Sequence, residues 1–334
     1  MAAGHAVLVI FVAFAVGMLL NADTMMRTAE NLPLGSSKRS ISVSVMRPIK
    51  WVSDHLGITE PRTLLDRALG KRQKQVKDPF SAFRNPSATP PTVPHPGTTT
   101  KATAPNPPTE FVTRFHPSTQ RPLRVYAAGD SLSFEYGLAM GRLAAADPTI
   151  EMEGSIDYHV ATGLSRPDFF NWPLQLDAQM KARKPDVVVY MVGSNDDQSL
   201  ASPDGHTYAP YTPGWKYEYS RRAAAVMDQV IHSGRTIIWI GCPIIKNAAR
   251  SHGYQLINAL VRTQADARRD AYFVDPYPMF QDKHGNFEQY LPDAAGHLVK
   301  MRADDGIHLE RAGGDLLANA TAHLLKRIYP PVAK

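Results

Sequence analysis

The stretch Tyr126-Ala-Ala-Gly-Asp-Ser-Leu-Ser133 decides how this chain is read. An apolar run over residues 123–128 stops at Gly129-Asp130-Ser131, and a helix-like pattern over residues 132–146 begins at once. A buried strand that ends this way hands a hydroxyl to the rim of a sheet. Ligands of α/β sheets sit outside the carboxyl ends of the strands, so a serine placed there is positioned to act as a nucleophile. The competing local reading is a helix cap, because Asp and Ser both suit the turn before a helix. The tripeptide alone does not separate the two.

Working outward, strand and helix patterns alternate to the end of the chain. Candidate strands lie at residues 123–128, 157–160, 187–192, 236–241 and 271–275. The third and fourth are continuous apolar, β-branched-rich runs, as expected for central strands covered on both faces. Helical patterns lie between and after them, near residues 132–146, 173–183, 218–232, 254–269 and 312–327. This alternation predicts a doubly wound α/β fold with a parallel sheet and right-handed crossovers.

Three further blocks fall at or near the rim of that sheet. Gly163, in Ala161-Thr-Gly-Leu-Ser165, follows the second strand and could turn a bare backbone N–H toward an oxyanion. Gly193-Ser-Asn-Asp196 follows the third strand and brings an Asn side-chain donor. Asp305-Gly-Ile-His308 lies just before the last helix, with a carboxylate and an imidazole three residues apart. A serine hydroxyl is a weak nucleophile until a neutral imidazole accepts its proton. The imidazole needs a carboxylate to fix its tautomer and to stabilise the imidazolium. The tetrahedral intermediate needs preplaced donors, and losing one costs ~2.7–4 kcal/mol. Ser131, His308 and Asp305 meet the first two needs. The Ser131 and Gly163 N–H groups and the Asn195 amide meet the third. Asp304 competes with Asp305, and the three-residue spacing to His308 favours Asp305. Asp130 reads as a cap or turn residue.

These blocks, in this order, resemble the SGNH (GDSL-type) hydrolase superfamily over residues 122–329. More narrowly, Leu164-Ser-Arg-Pro-Asp-Phe-Phe-Asn-Trp172 and Met301-Arg-Ala-Asp-Asp-Gly-Ile-His308 look like the membrane-anchored bacterial branch known as DUF459. The resemblance implies a flavodoxin-like three-layer α/β/α sandwich. It implies Ser131 as nucleophile, Asp305 and His308 as the other triad members, and Ser131, Gly163 and Asn195 as the oxyanion hole. It also implies a cell-envelope setting and hydrolase or O-acyltransferase chemistry on acyl esters. No cofactor and no metal are expected.

Other residues read more plainly. Arg166, Asp168 and Trp172 suit either the lining of an acyl pocket or packing at a helix start. Trp215 and Tyr219, at i, i+4 spacing, read as core anchors. His159, His206, His252 and His297 lack metal-ligand spacing. Cys242, the single cysteine, excludes an intrachain disulfide and reads as a buried strand-end residue.

The chain has 334 residues and a formal net charge of +6. Residues 1–84 hold 12 Lys+Arg against 6 Asp+Glu, which leaves 25 against 25 in the remainder. The catalytic part is therefore neutral and does not attract phosphate backbones by bulk charge, which argues against nucleic acid as a partner. Residues 6–20 are apolar without a charge, near the lower limit of ~17–25 residues for a membrane span. A cleaved signal peptide is the rival, but the basic segment that would precede it is missing. The expectation is an uncleaved anchor over residues 1–22, a basic juxtamembrane helical stalk over 23–84, a Pro/Thr-rich linker over 85–121 and the hydrolase domain over 122–330. Arg27, Lys38 and Arg39 follow the span, and the positive-inside rule would keep the domain cytoplasmic. The linker composition and the resemblance favour the extracytoplasmic side, and that is the expectation adopted.

The functional expectation is a membrane-anchored serine esterase or O-acyltransferase. Its partners would be an acylated envelope glycan or small ester, the membrane and a membrane acyl-donor protein. The alternatives are a lipase or lysophospholipase-type carboxylesterase and a non-catalytic glycan-binding scaffold.

Overall fold

The computed structural model describes residues 14, 16–19, 22, 25, 37–55, 78–81, 114–293 and 295–332. It divides into two compact units, Met1–Lys77 and Asp78–Lys334. In the first unit, helix α1 (Ser37–His55) lies within the stretch expected as a helical stalk. Most of the anchor expected over residues 1–22 and of the linker expected over 85–121 lies outside the described residues. Among the described residues, no helix is long and apolar enough to cross a membrane.

The second unit is built on a parallel sheet of β1 (Leu123–Gly129), β2 (Ile150–Met152), β3 (Asp157–Tyr158), β4 (Val187–Met191), β7 (Thr236–Ile240) and β8 (Ala271–Val274). Its order is β2-β1-β4-β7-β8, with β3 also pairing β1. Short hairpins β5–β6 (Leu200–Ala201, Thr207–Tyr208) and β9–β10 (Tyr290–Pro292, Leu298–Lys300) stand outside it. Helices α2 (Ser133–Ala146), α3 (Trp172–Arg183), α4 (Pro213–His232), α5 (Ala248–Asp266) and α6 (Arg311–Ile328) complete the layers. The chain winds outward from β1 in both directions, so the topological switch lies between β1 and β4, where ligands of such sheets bind.

Side-chain alternation explains the two covered faces. Leu123, Val125, Val187, Val189, Ile238 and Ile240 point to one core, which α2 and α6 close through Tyr136, Met140, Leu317 and Leu325. Tyr126, Ala128, Val188, Tyr190, Ile237 and Trp239 point to the other, closed by Leu176, Tyr219, Val226 and Val261 of α3, α4 and α5. Trp215 and Tyr219 stack with centroids 4.7 Å apart inside that second core. Helix starts follow local chemistry: Asn171 accepts from the Leu174 N–H, and Asn247 accepts from the Arg250 N–H. Cys242 is buried.

Three differences from the expectation have physical reasons. α4 begins at Pro213 rather than Glu218, because a proline in the first turn loses no helical hydrogen bond and brings Trp215 into the core. More consequentially, Asp78–Ser81, assigned by sequence to the stalk, belongs to the second unit. Phe80 is 1% exposed in the α3–α5 core. A single aromatic ring supplies that burial, and no sequence periodicity announces it. The near end of the domain also starts earlier than residue 122, since Arg114 pairs with Asp270 at 2.9 Å and Phe115 packs on Tyr329.

β1 ends where its neighbours leave no room for a side chain. A Cβ on Gly129 would lie 2.2 Å from the Met191 carbonyl oxygen. Backbone cannot yield as a side chain can, so Gly129→Ala is expected to destabilise the domain by about 1–3 kcal/mol. The measurement is the urea midpoint of the variant at unchanged m-value.

Candidate active site

Ser131 sits between the end of β1 and the start of α2. The turn is locked locally: the Ser133 N–H and Oγ–H both donate to the Asp130 carbonyl, at 3.1 and 2.6 Å. His308 comes from the loop before α6, and its Nε2 lies 3.0 Å from Ser131 Oγ. Its Nδ1 lies 2.6 Å from Asp305 Oδ2. Asp305 Oδ1 accepts the N–H groups of Ile307 at 2.8 Å and His308 at 3.0 Å. Burial acts to raise the Asp305 pKa, but the bonds from the His308 ring and these two N–H groups outweigh it. The net effect is a carboxylate held below its ordinary range. It is therefore ionised at neutral pH, as the orienting member of a relay must be. Asp304 turns away to Lys300 Nζ at 2.9 Å and Gln289 Nε2 at 2.9 Å.

Asp130 is more than a turn residue. It is 1% exposed, and its carboxylate accepts from Leu132 N–H, Gly193 N–H, Ser194 N–H and Ser194 Oγ–H, at 3.0, 3.2, 3.1 and 2.8 Å. Burial lifts its pKa to about 6 against those bonds, which leaves it ionised at pH 7. It ties the loop after β1 to the loop after β4 across the topological switch.

The expected oxyanion donors separate into two kinds. Among the described residues, no protein group accepts the N–H of Ser131 or of Gly163. Asn195, expected as the third donor, lies at the same rim with its amide turned to protein groups. Its Nδ2 donates to the Thr162 carbonyl at 2.9 Å and to Ser194 Oγ at 3.2 Å, while its Oδ1 is buried without a partner. The Asn195 amide thus binds the loop after β4 to the loop carrying Gly163, and its donors are engaged there. Burial of the rim explains this: a carbonyl left behind by the Gly163 turn needs a donor, and Asn195 is the one in reach.

The profile of DUF459, described as "Protein of unknown function", matches residues 124–323, more than half of the chain. The chain belongs to the DUF459 family. Curated proteins provide no significant match. Solved structures that resemble it include a catalytic mutant of an acetylxylan esterase from Geobacillus stearothermophilus, with 17% identity and a TM-score of 0.41, covering 61% of this chain and 93% of that one. Another is LAE5, an alpha/beta hydrolase from the metagenome of Lake Arreo, Spain, at 16% identity and a TM-score of 0.44, covering 61% and 95%. A third is a protein from Slackia heliotrinireducens assigned to the SGNH hydrolases, at 18% identity and a TM-score of 0.42, covering 60% and 98%. All three are distant likenesses.

In this DUF459 chain the supporting side chains are the ones that sequence reasoning missed. Asp196 is fully buried, and its carboxylate accepts the N–H groups of Leu164 at 3.0 Å and Ser165 at 2.7 Å and the Tyr219 hydroxyl at 3.0 Å. Gly163 is a glycine because that carboxylate lies against it: a Cβ would meet Asp196 Oδ1 at 2.2 Å. Arg302 is also fully buried. Its guanidinium donates to the carbonyls of Ile244, Ile307 and His308, and it lies 5.2 Å from the Phe280 ring centroid. Burial pulls its pKa down to about 10, so it remains a cation at pH 7. It pins the His308 loop to the segment after β7. Tyr254 and Arg250 of α5 grip the Ser194 carbonyl at 2.7 and 3.0 Å, and Arg250 pairs with Asp197 at 2.6 Å. A buried Arg serving carbonyls has no sequence signature, whereas Asp196 stood in plain view next to Asn195.

Arg166 pairs with Asp168 at 2.8 Å, and Trp172 is buried with its Nε1–H on Thr162 Oγ1 at 3.2 Å. Trp172 therefore packs the helix start rather than lining an open pocket. Among the described residues, no group of His, Cys, Asp and Glu side chains could hold a metal ion.

Asp305→Asn keeps the side-chain shape but removes the acceptor that fixes the His308 tautomer. It is expected to lower kcat toward an activated ester by about 10⁴-fold. Thermal melts should stay within a few degrees of wild type, because Asp305 is half-exposed.

Proposed function

We propose that this chain is a serine carboxylesterase-type enzyme that works through an acyl-serine intermediate. The observation that supports it is the continuous relay from Ser131 Oγ to His308 Nε2 at 3.0 Å and from His308 Nδ1 to Asp305 at 2.6 Å. Ser131 Oγ attacks the acyl carbonyl carbon while His308 Nε2 takes its proton. The oxyanion is met by the Ser131 and Gly163 N–H groups, and the start of α2 adds its positive dipole end. His308 returns the proton to the leaving alcohol as the ester C–O bond breaks. It then deprotonates a water, which releases the acid, or an acceptor hydroxyl, which gives a new ester.

The finer reading is an envelope-anchored esterase or O-acyltransferase acting on acylated glycans, with the domain outside the cytoplasm. The apolar, uncharged residues 6–20 and the Pro/Thr-rich composition support it. A reporter fused to the C-terminus should be active only on the extracytoplasmic side.

The acyl side can be argued from topology. β3 lies on the flank of β1 away from β4 and β7. The His308 loop is held from the opposite flank, where Lys246 N–H donates to the Gly306 carbonyl at 3.0 Å. The leaving alcohol must stay within reach of His308, so the acyl group points toward β3. A groove of about 470 Å³ lies there, lined by Tyr158, His159, Val160, Thr162, Phe169 and Phe170. Its size and aromatic lining favour, as a second reading, a carboxylesterase of the lipase or lysophospholipase kind that takes acyl groups longer than acetyl.

Hydrolysis of p-nitrophenyl esters from acetyl to octanoyl by the full-length chain tests both readings. Ser131→Ala should lower kcat on the order of 10⁴-fold or more at every chain length. Activity that survives the change removes the nucleophile assignment. A kcat/KM that climbs with acyl length supports the longer-chain reading, and a maximum at acetyl supports the envelope-acetyl reading.

A further inference from the structure

Asp78-Pro-Phe-Ser81 lies more than thirty residues before the next described segment, yet it closes on itself and on the catalytic domain. Asp78 Oδ1 accepts the Phe80 N–H at 3.1 Å, and the Asp78 carbonyl accepts the Ser81 N–H at 3.1 Å and hydroxyl at 2.7 Å. This turn places the Phe80 ring in the α3–α5 core and sets the Arg222 guanidinium 5.2 Å from its centroid. Asp78 Oδ2 contacts Arg221 Nη1 at 2.9 Å.

The partners of this turn form a buried cluster on α4. Glu218, Arg221 and Arg222 are 3%, 7% and 3% exposed. Glu218 takes both Nε and Nη2 of Arg221 at 2.6 Å and Nε of Arg222 at 2.9 Å. Two guanidinium groups against one carboxylate leave this buried trio with an unbalanced positive charge, and Asp78 balances it. A buried charge without its partner is costly, and the usual relief is to shift toward water or toward whatever acceptor remains.

The far end of the cluster reaches the candidate oxyanion loop. Arg222 Nη1 donates to the carbonyls of Leu164 at 2.7 Å and Ser165 at 3.2 Å. The N–H groups of the same two residues are held by Asp196. The peptide unit between Leu164 and Ser165 is thus gripped on both of its polar groups, its N–H by the Asp196 carboxylate and its carbonyl by the Arg222 cation. The carboxylate grip is internal to the sheet rim. The cation grip depends on Arg222, which lies over the Phe80 ring and shares Glu218 with Arg221, the residue that Asp78 contacts.

We propose that Asp78–Ser81 is a positioning strap for the reaction, which neutralises and covers the Glu218–Arg221–Arg222 cluster and so holds the Gly163 N–H in line with Ser131. The proposal rests on Gly163 being an oxyanion donor.

The test uses the full-length chain with Asp78→Asn and, separately, Phe80→Ala. Amide exchange read by mass spectrometry at residues 164–165 needs no substrate. It should speed up by about tenfold or more in both variants while residues 133–146 keep wild-type protection. Ester turnover should fall between about 10- and 100-fold in kcat with KM within twofold, because the loop is displaced rather than the substrate contacts removed. Wild-type exchange at residues 164–165 in both variants overturns the strap, as does exchange that rises uniformly over the domain. If exchange rises locally but wild type shows no activity dependent on Ser131, the strap stands and the esterase reading falls.

Discussion

The structure depends on one buried carboxylate. Asp130 lies at the topological switch of the sheet and gathers four donors from two loops that are more than sixty residues apart in sequence. Removing a charge from water costs several kcal/mol unless hydrogen bonds replace the lost hydration. Asp130 therefore holds its donors in one arrangement, and that arrangement puts Ser131 half-exposed at the rim with its N–H unspent. The proposed nucleophile is placed by a buried neighbour whose carboxylate is spent on backbone and a serine hydroxyl.

The same device recurs around the site. Asp196 holds the peptide units after Gly163, and Arg302 holds the carbonyls of the His308 loop. Each element of the candidate site comes from a different strand end or helix start, and each is held by a buried ionic group bonded to backbone. Backbone groups are fixed by the fold, so a charge that binds them has little freedom to wander. This suits a reaction whose oxyanion must meet donors already in place. The site is open beside these braces: His308 and Asp305 side chains are 33% and 42% exposed, and the apolar groove begins at Thr162.

The segment Asp78–Ser81 extends this logic beyond the sheet. A phenylalanine and an aspartate far upstream complete a core and a charge balance that α4 cannot complete alone. Domain boundaries drawn by composition miss such a segment, because its neighbours on both sides read as stalk and linker.

The sequence by itself determined the central strands of the sheet and the order of the candidate site residues along the chain. The β-branched apolar runs at 187–192 and 236–241 read as central strands covered on both faces, and the structure has strands at 187–191 and 236–240. The spacing of Asp305 and His308 before an amphipathic helix leaves little choice of partner for Ser131. These features are local, and local chemistry writes them into consecutive residues. The short strand Ile150–Met152, the two hairpins and the early start of α4 were not legible, since each is only a few residues long or is set by packing. Only the tertiary structure decided the roles of Asp130, Asp196, Arg302 and Asn195. A carboxylate, a guanidinium or an amide looks the same in sequence whether it faces solvent, substrate or a neighbouring carbonyl. What distinguishes those cases is which backbone groups the fold has buried without partners, and that is known only once strands far apart in the chain lie side by side.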